Sequence, residues 1–370
     1  MFSRRLPEGL APNALARRRA RRRVEFDLTV SNPTLCDFPY PADLLAPLAD
    51  PGALRYDPDP QGLLVARRAV AQMVGVPVGC IVLTASTSEA YSLLFKLLAD
   101  PGDAIAYPAP SYPLLEHLAR LEGLTPHPYR LDPEDDWRPD PASVPAGVRA
   151  VVAVSPNNPT GSYLDPASLR ALGDASPALI VDEVFRAFSL DHPPGPPGLG
   201  AASLTFTLGG LSKELGLPQV KLAWIAVSGD WRVVSGAVDR LVYLADQYLS
   251  VATPVQCALP DLLQRARPVR RAIMQRCLEN LSALRTLVRE VPEVSVLPVG
   301  GGWTAVLRVP ALLGEEALAL RLLERGVAVH PGYFFDFPRE GYLVLSLLPT
   351  PDTFREGCRR VLEEVTALAR

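Results

Sequence analysis

Short apolar runs, separated by segments long enough to form helices, constrain the fold of this chain more than any other feature. Each run is rich in Val, Ile, Leu or Ala, and the runs lie at 81–84, 104–107, 148–154, 178–181, 204–208 and 222–227. Strands that are apolar on both faces are typical of a largely parallel sheet that helices cover on both sides. The segments at 88–99, 111–122 and 165–173 are the predicted intervening helices, so we expect an α/β fold.

The pattern changes after Pro268. A long amphipathic segment at 269–290 precedes predicted strands near 294–308 and 342–348 and predicted helices at 314–325 and 352–369. With 370 residues, the chain is long enough for two domains. We predict a large domain at 41–268 with a mostly parallel, seven-stranded type of sheet, and a smaller α+β domain formed by 1–40 and 269–370.

Charge and cysteine usage narrow the classes of function. The formal net charge of −3 argues against general nucleic-acid binding, and no run of 18 apolar residues predicts a membrane span. Five widely spaced cysteines without a C-x-x-C pair indicate reduced thiols in a cytoplasmic protein, and the four histidines have no metal-ligand spacing. The arginine-rich segment 17–23 is interpreted as a solvated face of an N-terminal arm, with a targeting or nucleic-acid role as the alternative.

Lysine is rare in this chain. Lys and Arg together number 37, of which only Lys96, Lys213 and Lys221 are lysines. Arginine cannot form a Schiff base, whereas a lysine amine can lose its proton and attack a carbonyl group. Lys213 follows Gly209-Gly210, where we expect a side chain to crowd a bound ligand. The rarity therefore points to Lys213 as a reactive amine, although a bias in codon usage explains rare lysines equally simply.

Polar residues cluster at the carboxyl ends of four predicted strands, where ligands of open α/β sheets bind. The polar segments are 85–89 (ASTSE), 155–161 (SPNNPTG), 182–183 (DE) and 209–213 (GGLSK). Together they would bring a helix N-terminus, an amide, an acid and an amine to one region. The sequence therefore predicts a single ligand site at this edge of the sheet.

Each polar residue has a possible role in binding a ligand and a simpler alternative. Hydroxyls and free N–H groups at Ser86, Thr87 and Ser88 suit a phosphate, but an ordinary N-cap with Glu89 explains them too. Asp182 needs a cationic partner if it is buried, and that partner could be a ring nitrogen or a structural arginine. Asn158 could contact a ligand or be an ordinary turn residue. Tyr112 could stack on a ligand ring or simply pack against the protein, and Trp303 could line the site or be a core residue.

Taken together, these segments resemble the class I/II aminotransferases, which are fold type I enzymes that use pyridoxal 5′-phosphate (PLP). The resemblance spans roughly residues 26–350. Its most specific part is SKELGLPQVK at 212–221, which is similar to the lysine signature of that family. The segments YDPDPQG, SPNNPTG and VDEV occur in the expected order and spacing.

The resemblance implies a role for each matched residue. Lys213 would hold the cofactor as a Schiff base, and Asp182 would keep its pyridine nitrogen protonated. Tyr112 would stack on the ring, and Asn158 would bind its phenolic oxygen. Four residues of the same chain would hold the phosphate, namely Ser86, Thr87, Ser88 and Lys221. Tyr56 would reach that phosphate from the neighbouring subunit, which implies a homodimer.

Four positions depart from the family pattern. Phe185 replaces a tyrosine that donates to the phenolic oxygen, Lys221 replaces a phosphate-binding arginine, and Gly210 replaces a Ser or Thr. Val344, in GYLVLS, stands where the family arginine binds the substrate α-carboxylate. Another group must then take the carboxylate, or the substrate is unusual. Candidates for that group are Asn32, Arg186, His330 and Tyr333, and Trp303 is expected to line the substrate side.

The sequence therefore favours a PLP-dependent aminotransferase that moves an amino group between an amino acid and a 2-oxo acid. The change at Val344 keeps a second hypothesis open, a PLP-dependent lyase, decarboxylase or cyclase acting on an unusual amine. Both hypotheses require the amine of Lys213 and the carboxyl group of Asp182 to share one site.

Overall fold

A computed structural model of the chain describes residues 2–7, 9–191 and 193–369. Its helices are α1 (Ala14–Arg19), α2 (Leu64–Val74), α3 (Thr87–Leu98), α4 (Leu114–Leu121), α5 (Pro166–Asp174), α6 (Leu211–Glu214), α7 (Trp231–Asp246), α8 (Thr253–Arg265), α9 (Arg267–Val288), α10 (Glu315–Glu324) and α11 (Pro351–Ala369). Its strands are β1 (Phe26–Asp27), β2 (Ile81–Thr84), β3 (Ala104–Ala109), β4 (Thr125–Asp132), β5 (Arg138–Pro139), β6 (Ala150–Val154), β7 (Leu179–Asp182), β8 (Leu204–Gly210), β9 (Ala223–Gly229), β10 (Ser295–Val296), β11 (Thr304–Arg308), β12 (Val327–Ala328), β13 (His330–Pro331) and β14 (Tyr342–Ser346).

The large sheet has the strand order β2-β9-β8-β7-β6-β3-β4-β5. Its central strands from β8 to β4 are parallel, whereas β9 runs antiparallel to both of its neighbours and β5 is a two-residue edge. All six apolar runs are strands of this sheet, and the predicted α/β fold with a mostly parallel sheet is confirmed. No helix in the described part of the chain is long and apolar enough to cross a membrane.

Strand β4 was not predicted from the sequence, because Pro126 and Pro128 interrupt its apolar pattern. Proline has no N–H to donate and is tolerated mainly at the edge of a sheet. In the structure β4 pairs along its length with β3, while its other side meets only the two residues of β5. The edge position therefore explains why the prolines fit there.

A second, four-stranded sheet has the order β10-β11-β14-β13 and packs against the long helices α9 and α11. Its apolar residues on one face join a cluster with those helices, and residues on the other face join a cluster with the large sheet and α5. Asn280 of α9 secures the end of β14, because its buried amide donates hydrogen bonds to Leu347 O (2.9 Å) and Pro349 O (2.8 Å). Asn280 thereby fixes the small sheet to α9, and the second apolar cluster packs that sheet against the large one.

The glycines before Lys213 are explained by the sheet itself. Gly209 on β8 lies directly opposite Trp224 on β9, and a Cβ atom at Gly209 would approach the indole ring to 2.5 Å. At Gly210 a Cβ would lie 3.0 Å from the Cβ of Ala223. A side chain at either glycine would therefore clash with the neighbouring strand, whereas the predicted clash with a bound ligand stays a prediction.

Replacing Gly209 with alanine is therefore expected to lower the free energy of unfolding of the apoprotein by about 1–3 kcal/mol, the usual cost of overpacking a core. Urea unfolding of the apoprotein measures this change. Gly79→Ala is the control, because no atom lies within 4 Å of the added Cβ there. A Gly209→Ala protein as stable as wild type, but defective in cofactor binding, would support the ligand explanation instead.

Candidate active site

Lys213 lies on α6, directly after the end of β8. Its Nζ is 5.4 Å from the ring centroid of Phe185 and 4.9 Å from that of Trp303, and it makes no hydrogen bond or ion pair with any described residue. Burial lowers the pKa of the Lys213 amine to about 8, although the negative charge of Asp182 opposes the shift. The amine can therefore lose its proton near neutral pH and act as a nucleophile.

Asp182 ends β7, the strand next to β8, and only 6% of its surface is exposed. The Tyr91 hydroxyl donates a hydrogen bond to its Oδ2 (2.9 Å), and the backbone N–H of Val184 donates to its Oδ1 (3.1 Å). Burial raises the pKa of Asp182 to about 6, while these hydrogen bonds and the charge of Lys213 lower it. A buried carboxylate with mainly neutral partners favours a cation beside it.

Lys213 and Asp182 lie at the same edge of the sheet, because Asp182 ends β7 and Lys213 follows β8, its parallel neighbour. The charge of each group also shifts the pKa of the other. Tyr112 borders this site too, because burial and then the charge of Asp182 raise the pKa of its hydroxyl. With 36% of its surface exposed, Tyr112 lies at the open side of the site. These three predicted residues are therefore brought together by the fold.

The two asparagines in the loop after β6 differ in burial and in hydrogen bonding. Asn157 is buried and donates to Pro110 O (3.0 Å) and Thr160 Oγ1 (2.9 Å), and it accepts a hydrogen bond from Ser111 (2.7 Å). Asn158 is half-buried, and its side chain has no hydrogen-bond partner among the described residues. Asn157 thus ties the segment before Tyr112 to the loop, whereas the Asn158 amide is available to a ligand. Asn157 lies in the SPNNPTG segment but was given no role there, and Tyr91 lies outside every motif, so neither was a predicted site residue.

The N-terminus of α3 carries the predicted phosphate-binding hydroxyls. Ser86 is the N-cap, and its Oγ accepts a hydrogen bond from the backbone N–H of Glu89 (3.1 Å). The hydroxyls of Thr87 and Ser88 are half-buried and have no partner among the described residues. Glu89 places a negative charge at the same end, where its carboxylate accepts hydrogen bonds from Ala85 N and from the hydroxyl of Ser250. Ser86 is therefore an N-cap, as the simpler alternative held, and the two following hydroxyls remain free.

Trp303 is 3% exposed and lies edge-to-face with Phe185 (5.3 Å between centroids) and Phe188 (5.1 Å). Its Nε1 is buried without a hydrogen-bond partner among the described residues. Trp303 is therefore a core residue whose ring also faces the amine of Lys213. The apolar rings of Trp303 and Phe185 contribute to the burial that lowers the pKa of that amine.

The remaining predicted residues lie in different places. Asn32 caps a short turn, since its Oδ1 accepts from the N–H and the hydroxyl of Thr34. Tyr333 is 42% exposed and its hydroxyl faces Glu316. Arg186 lines a cavity of about 250 Å³ whose lining includes neither Lys213 nor Asp182.

Three further predicted residues lie on the outside or in the small sheet. Lys221 is exposed, and no described residue forms an ion pair with it. Tyr56 is also exposed, with 77% of its surface accessible. Val344 is fully buried in the small sheet, directly opposite His330. None of the three contacts Lys213 in this single chain.

The raised pKa of Asp182 predicts a stability change that depends on pH. Because the folded-state pKa of about 6 lies above the unfolded value of 3.8, the buried charge costs stability above pH 6, and this cost disappears as the pH falls below 4. Asp182→Asn apoprotein is therefore expected to be about 2–3 kcal/mol more stable than wild type at pH 7 and equally stable near pH 4. Urea unfolding at both pH values measures the difference.

Asp239→Asn serves as the control for this experiment, because Asp239 is an exposed residue in the middle of α7 and should show no such pH dependence. Equal stability of the Asp182→Asn and wild-type proteins at pH 7 would contradict the burial cost.

Comparisons with known proteins identify the family of the chain. The family model "Aminotransferase class I and II" matches residues 40–361. An alanine aminotransferase of Mycobacterium tuberculosis is 28% identical over 348 residues, covering 87% of this chain and 81% of the relative. The glutamate-pyruvate aminotransferase AlaA of Escherichia coli is 26% identical over 352 residues, covering 88% of this chain and 86% of the relative.

Solved structures show the same fold. An aminotransferase from Escherichia coli superimposes with a TM-score of 0.86 at 22% identity, covering 99% of this chain and 98% of that one. The aspartate aminotransferase of Thermus thermophilus with maleate gives a TM-score of 0.82 at 22% identity, covering 98% and 99%. The predicted aminotransferase activity and PLP cofactor are confirmed, and the lyase, decarboxylase or cyclase alternative is not favoured. The chain belongs to the class I and II aminotransferases, PLP-dependent enzymes that move an amino group between an amino acid and a 2-oxo acid.

Proposed function

We propose that Lys213 is the amine that bonds covalently to PLP and that Asp182 is the acid that binds the pyridine nitrogen. The observation that carries the proposal is the shared burial of this amine and this carboxyl group, each of which shifts the pKa of the other. PLP, when bound, supplies an aldehyde that condenses with amines and a protonated ring that withdraws electrons. The residues present fit it, because Asp182 favours a cation beside it and Lys213 offers a reactive amine.

The other residues would orient the cofactor. Asn158 offers a free amide to the phenolic oxygen, and Tyr112 offers a ring that can stack at the open side of the site. Phe185 has no hydroxyl, so it cannot donate the hydrogen bond that the family tyrosine makes to the phenolic oxygen. Asn158 would then be the donor to that oxygen. The phosphate would be held at the N-terminus of α3 by a group of hydroxyls and one cation, namely Ser86, Thr87, Ser88 and Lys221.

Lys213 would also move the proton of the reaction. Its Nζ lies beside the rings of Phe185 and Trp303, at 5.4 and 4.9 Å from their centroids, and would be the proton carrier whenever it is not bonded to PLP. An amine whose pKa is about 8 can take a proton from the substrate Cα and return it to a neighbouring carbon near neutral pH. The two rings would limit the access of water to this proton.

We propose alanine as an amino donor and pyruvate as its product. This choice is supported by the names of relatives, which include an alanine aminotransferase and a glutamate-pyruvate aminotransferase. The test is to mix the holoenzyme with L-alanine and follow the visible absorbance of the cofactor, then to add pyruvate to reverse the change. Absence of any change with alanine, glutamate or other amino acids would contradict transamination by this protein.

We also propose the division into a large domain at 41–268 and a smaller domain at 1–40 and 269–370. It is supported by the position of the large sheet within 81–229 and of the four-stranded sheet within 295–346. A cytoplasmic location is supported by five cysteines that form no disulfide in the described part of the chain. No metal or nucleic-acid partner is proposed.

Lys213→Ala is expected to abolish the visible absorbance of the bound cofactor and to lower the rate of transamination by at least about 10³-fold, because both the covalent bond and the proton carrier are lost. Absorbance after desalting and single-turnover kinetics measure these effects, and some PLP should still bind through its phosphate. Lys96→Ala is the control, since Lys96 pairs with Glu122 on the surface. A coloured, active Lys213→Ala enzyme would refute the assignment.

A homodimer in which Tyr56 reaches the phosphate of the partner subunit is proposed as well. It is supported by the exposure of Tyr56 (77%) and of the nearby Leu54 (90%), since apolar side chains this exposed are typical of interfaces. Tyr56→Phe is then expected to weaken PLP binding by about 10–100-fold, through loss of one hydrogen bond to a charged oxygen.

Sedimentation should show a particle of about twice the 40.0 kDa chain mass, and equilibrium titration gives the dissociation constant of PLP. Tyr243→Phe, at another exposed tyrosine (70%), is the matched control. A monomer in solution, or unchanged PLP affinity in Tyr56→Phe, would contradict the shared site.

A further inference from the structure

The position of the family arginine cannot serve a substrate in this chain. Val344 is 0% exposed and belongs to an apolar cluster that includes Val306 and Phe335. It offers no hydrogen-bond donor, and it is covered by its neighbours. An amino-acid substrate still carries an α-carboxylate, which needs a donor when it is removed from water.

The register of the small sheet places a donor next to Val344. Val306 on β11, Val344 on β14 and His330 on β13 are directly opposite one another in two antiparallel pairs. Directly opposite residues project from the same face of a sheet, with Cβ atoms about 4.5–5.5 Å apart. His330 therefore stands one strand away from the position of the arginine, on the same face.

This face of the small sheet adjoins the active site. Thr304, two residues before Val306 on β11, shares its face, and its hydroxyl donates to Pro159 O at 2.8 Å. Pro159 follows Asn158, whose free amide is proposed above to bind the cofactor, in the loop after β6. Val306, Val344 and His330 form a row across three strands of this face. Val306 lies two residues, or roughly 7 Å, along β11 from Thr304 and its contact with Pro159.

The other candidates for the carboxylate are engaged elsewhere. Asn32 uses its side-chain oxygen to cap a turn, Tyr333 faces Glu316, and Arg186 lines a different cavity. His330 is partly exposed, unlike Val344, so a ligand can reach its ring.

We propose that His330 binds the α-carboxylate of the amino-acid substrate and so replaces the arginine absent at Val344. The inference rests on the proposed transamination and names the residue that recognises the substrate. A protonated imidazole donates a charged hydrogen bond to a carboxylate, as a guanidinium does, but it makes one such contact rather than two.

The surroundings of His330 make this binding sensitive to pH. Burial lowers the pKa of the His330 imidazole, a hydrogen bond with the backbone of Thr29 and the charge of Asp27 raise it, and the charge of Arg19 lowers it. Arg19 itself is held by Asp27 (2.6 Å) and by the Thr29 hydroxyl (2.9 Å). The rings of Phe334 and Phe335 each lie 5.9 Å away, and Val344 lies directly opposite on β14. Helix α10 packs against β13 and brings the carboxylate of Glu315 nearby, where it accepts hydrogen bonds from the backbone N–H groups of Tyr333 (2.8 Å) and Tyr342 (2.9 Å).

The direction of the pH effect follows from the charge of the imidazole. A carboxylate favours the protonated ring, so affinity is full below the pKa of His330 and falls as the pH rises through it. An arginine keeps its charge at every pH used, and glutamine carries none. Substitution of His330 by each of these residues therefore separates a charged contact from a structural role.

The test uses the PLP-loaded enzyme and propanoate, which has the carbon skeleton and carboxylate of alanine but cannot react. Calorimetry should show that wild type binds propanoate about tenfold more weakly at about pH 8 than at about pH 6. His330→Gln should bind about tenfold more weakly than wild type at pH 6, and the difference between the two proteins should largely disappear at pH 8. His330→Arg should bind at least as tightly as wild type at both pH values.

Two controls accompany these variants. His127→Gln, at a half-buried histidine of β4, should bind propanoate as wild type does. With only four histidines in the chain, the His330 resonance can be assigned by its absence from His330→Gln spectra. Propanoate should shift this resonance and raise its titration midpoint, which a purely structural histidine would not show.

Propanoate affinity that is unchanged in His330→Gln, or that is lost in Arg19→Gln but not in His330→Gln, would overturn the proposal. If the wild-type enzyme still converts L-alanine in either case, only the role of His330 is overturned and the proposed transamination is retained. A wild-type enzyme that reacts with no amino acid would instead overturn the proposed function, whatever His330 does.

Discussion

The burial of an amine and a carboxyl group in one site is the interaction on which the rest of this structure depends. Lys213 and Asp182 follow adjacent parallel strands, β8 and β7, whose ends meet at one edge of the sheet. Burial moves their pKa values towards each other, to about 8 and about 6. Both groups are thus close to a change of charge near neutral pH, which suits an amine that must react and an acid that must hold a cation.

Neutral hydrogen bonds hold the surroundings of this pair in place. Tyr91 orients Asp182, and Asn157 connects the loop of Asn158 to the segment before Tyr112. Thr304 then connects that loop to the small sheet. In the proposed site the small sheet would supply the substrate side through His330, and the large domain would hold the cofactor.

Six strands of the large sheet and six of the described helices could be predicted from local patterns. Apolar runs and their spacing indicated a mostly parallel sheet, and the change after Pro268 indicated the elements of the second sheet. Strand β4 escaped prediction because its prolines are acceptable only at an edge, and edge position is a property of the assembled sheet. The antiparallel direction of β9 likewise depends on how the chain returns to the sheet, which no local pattern records.

For the site, the sequence by itself determined the chemistry: one rare lysine, one acid at a strand end, and a helix start with three hydroxyls. Their types and order are local facts, and the resemblance to a family rests on them. Only the tertiary structure decided which groups meet, because distant segments come together through packing and register. It placed Tyr91 against Asp182, Trp224 against Gly209, and His330 opposite Val344. The two residues of each pair belong to different helices or strands, so only the folded chain brings them together.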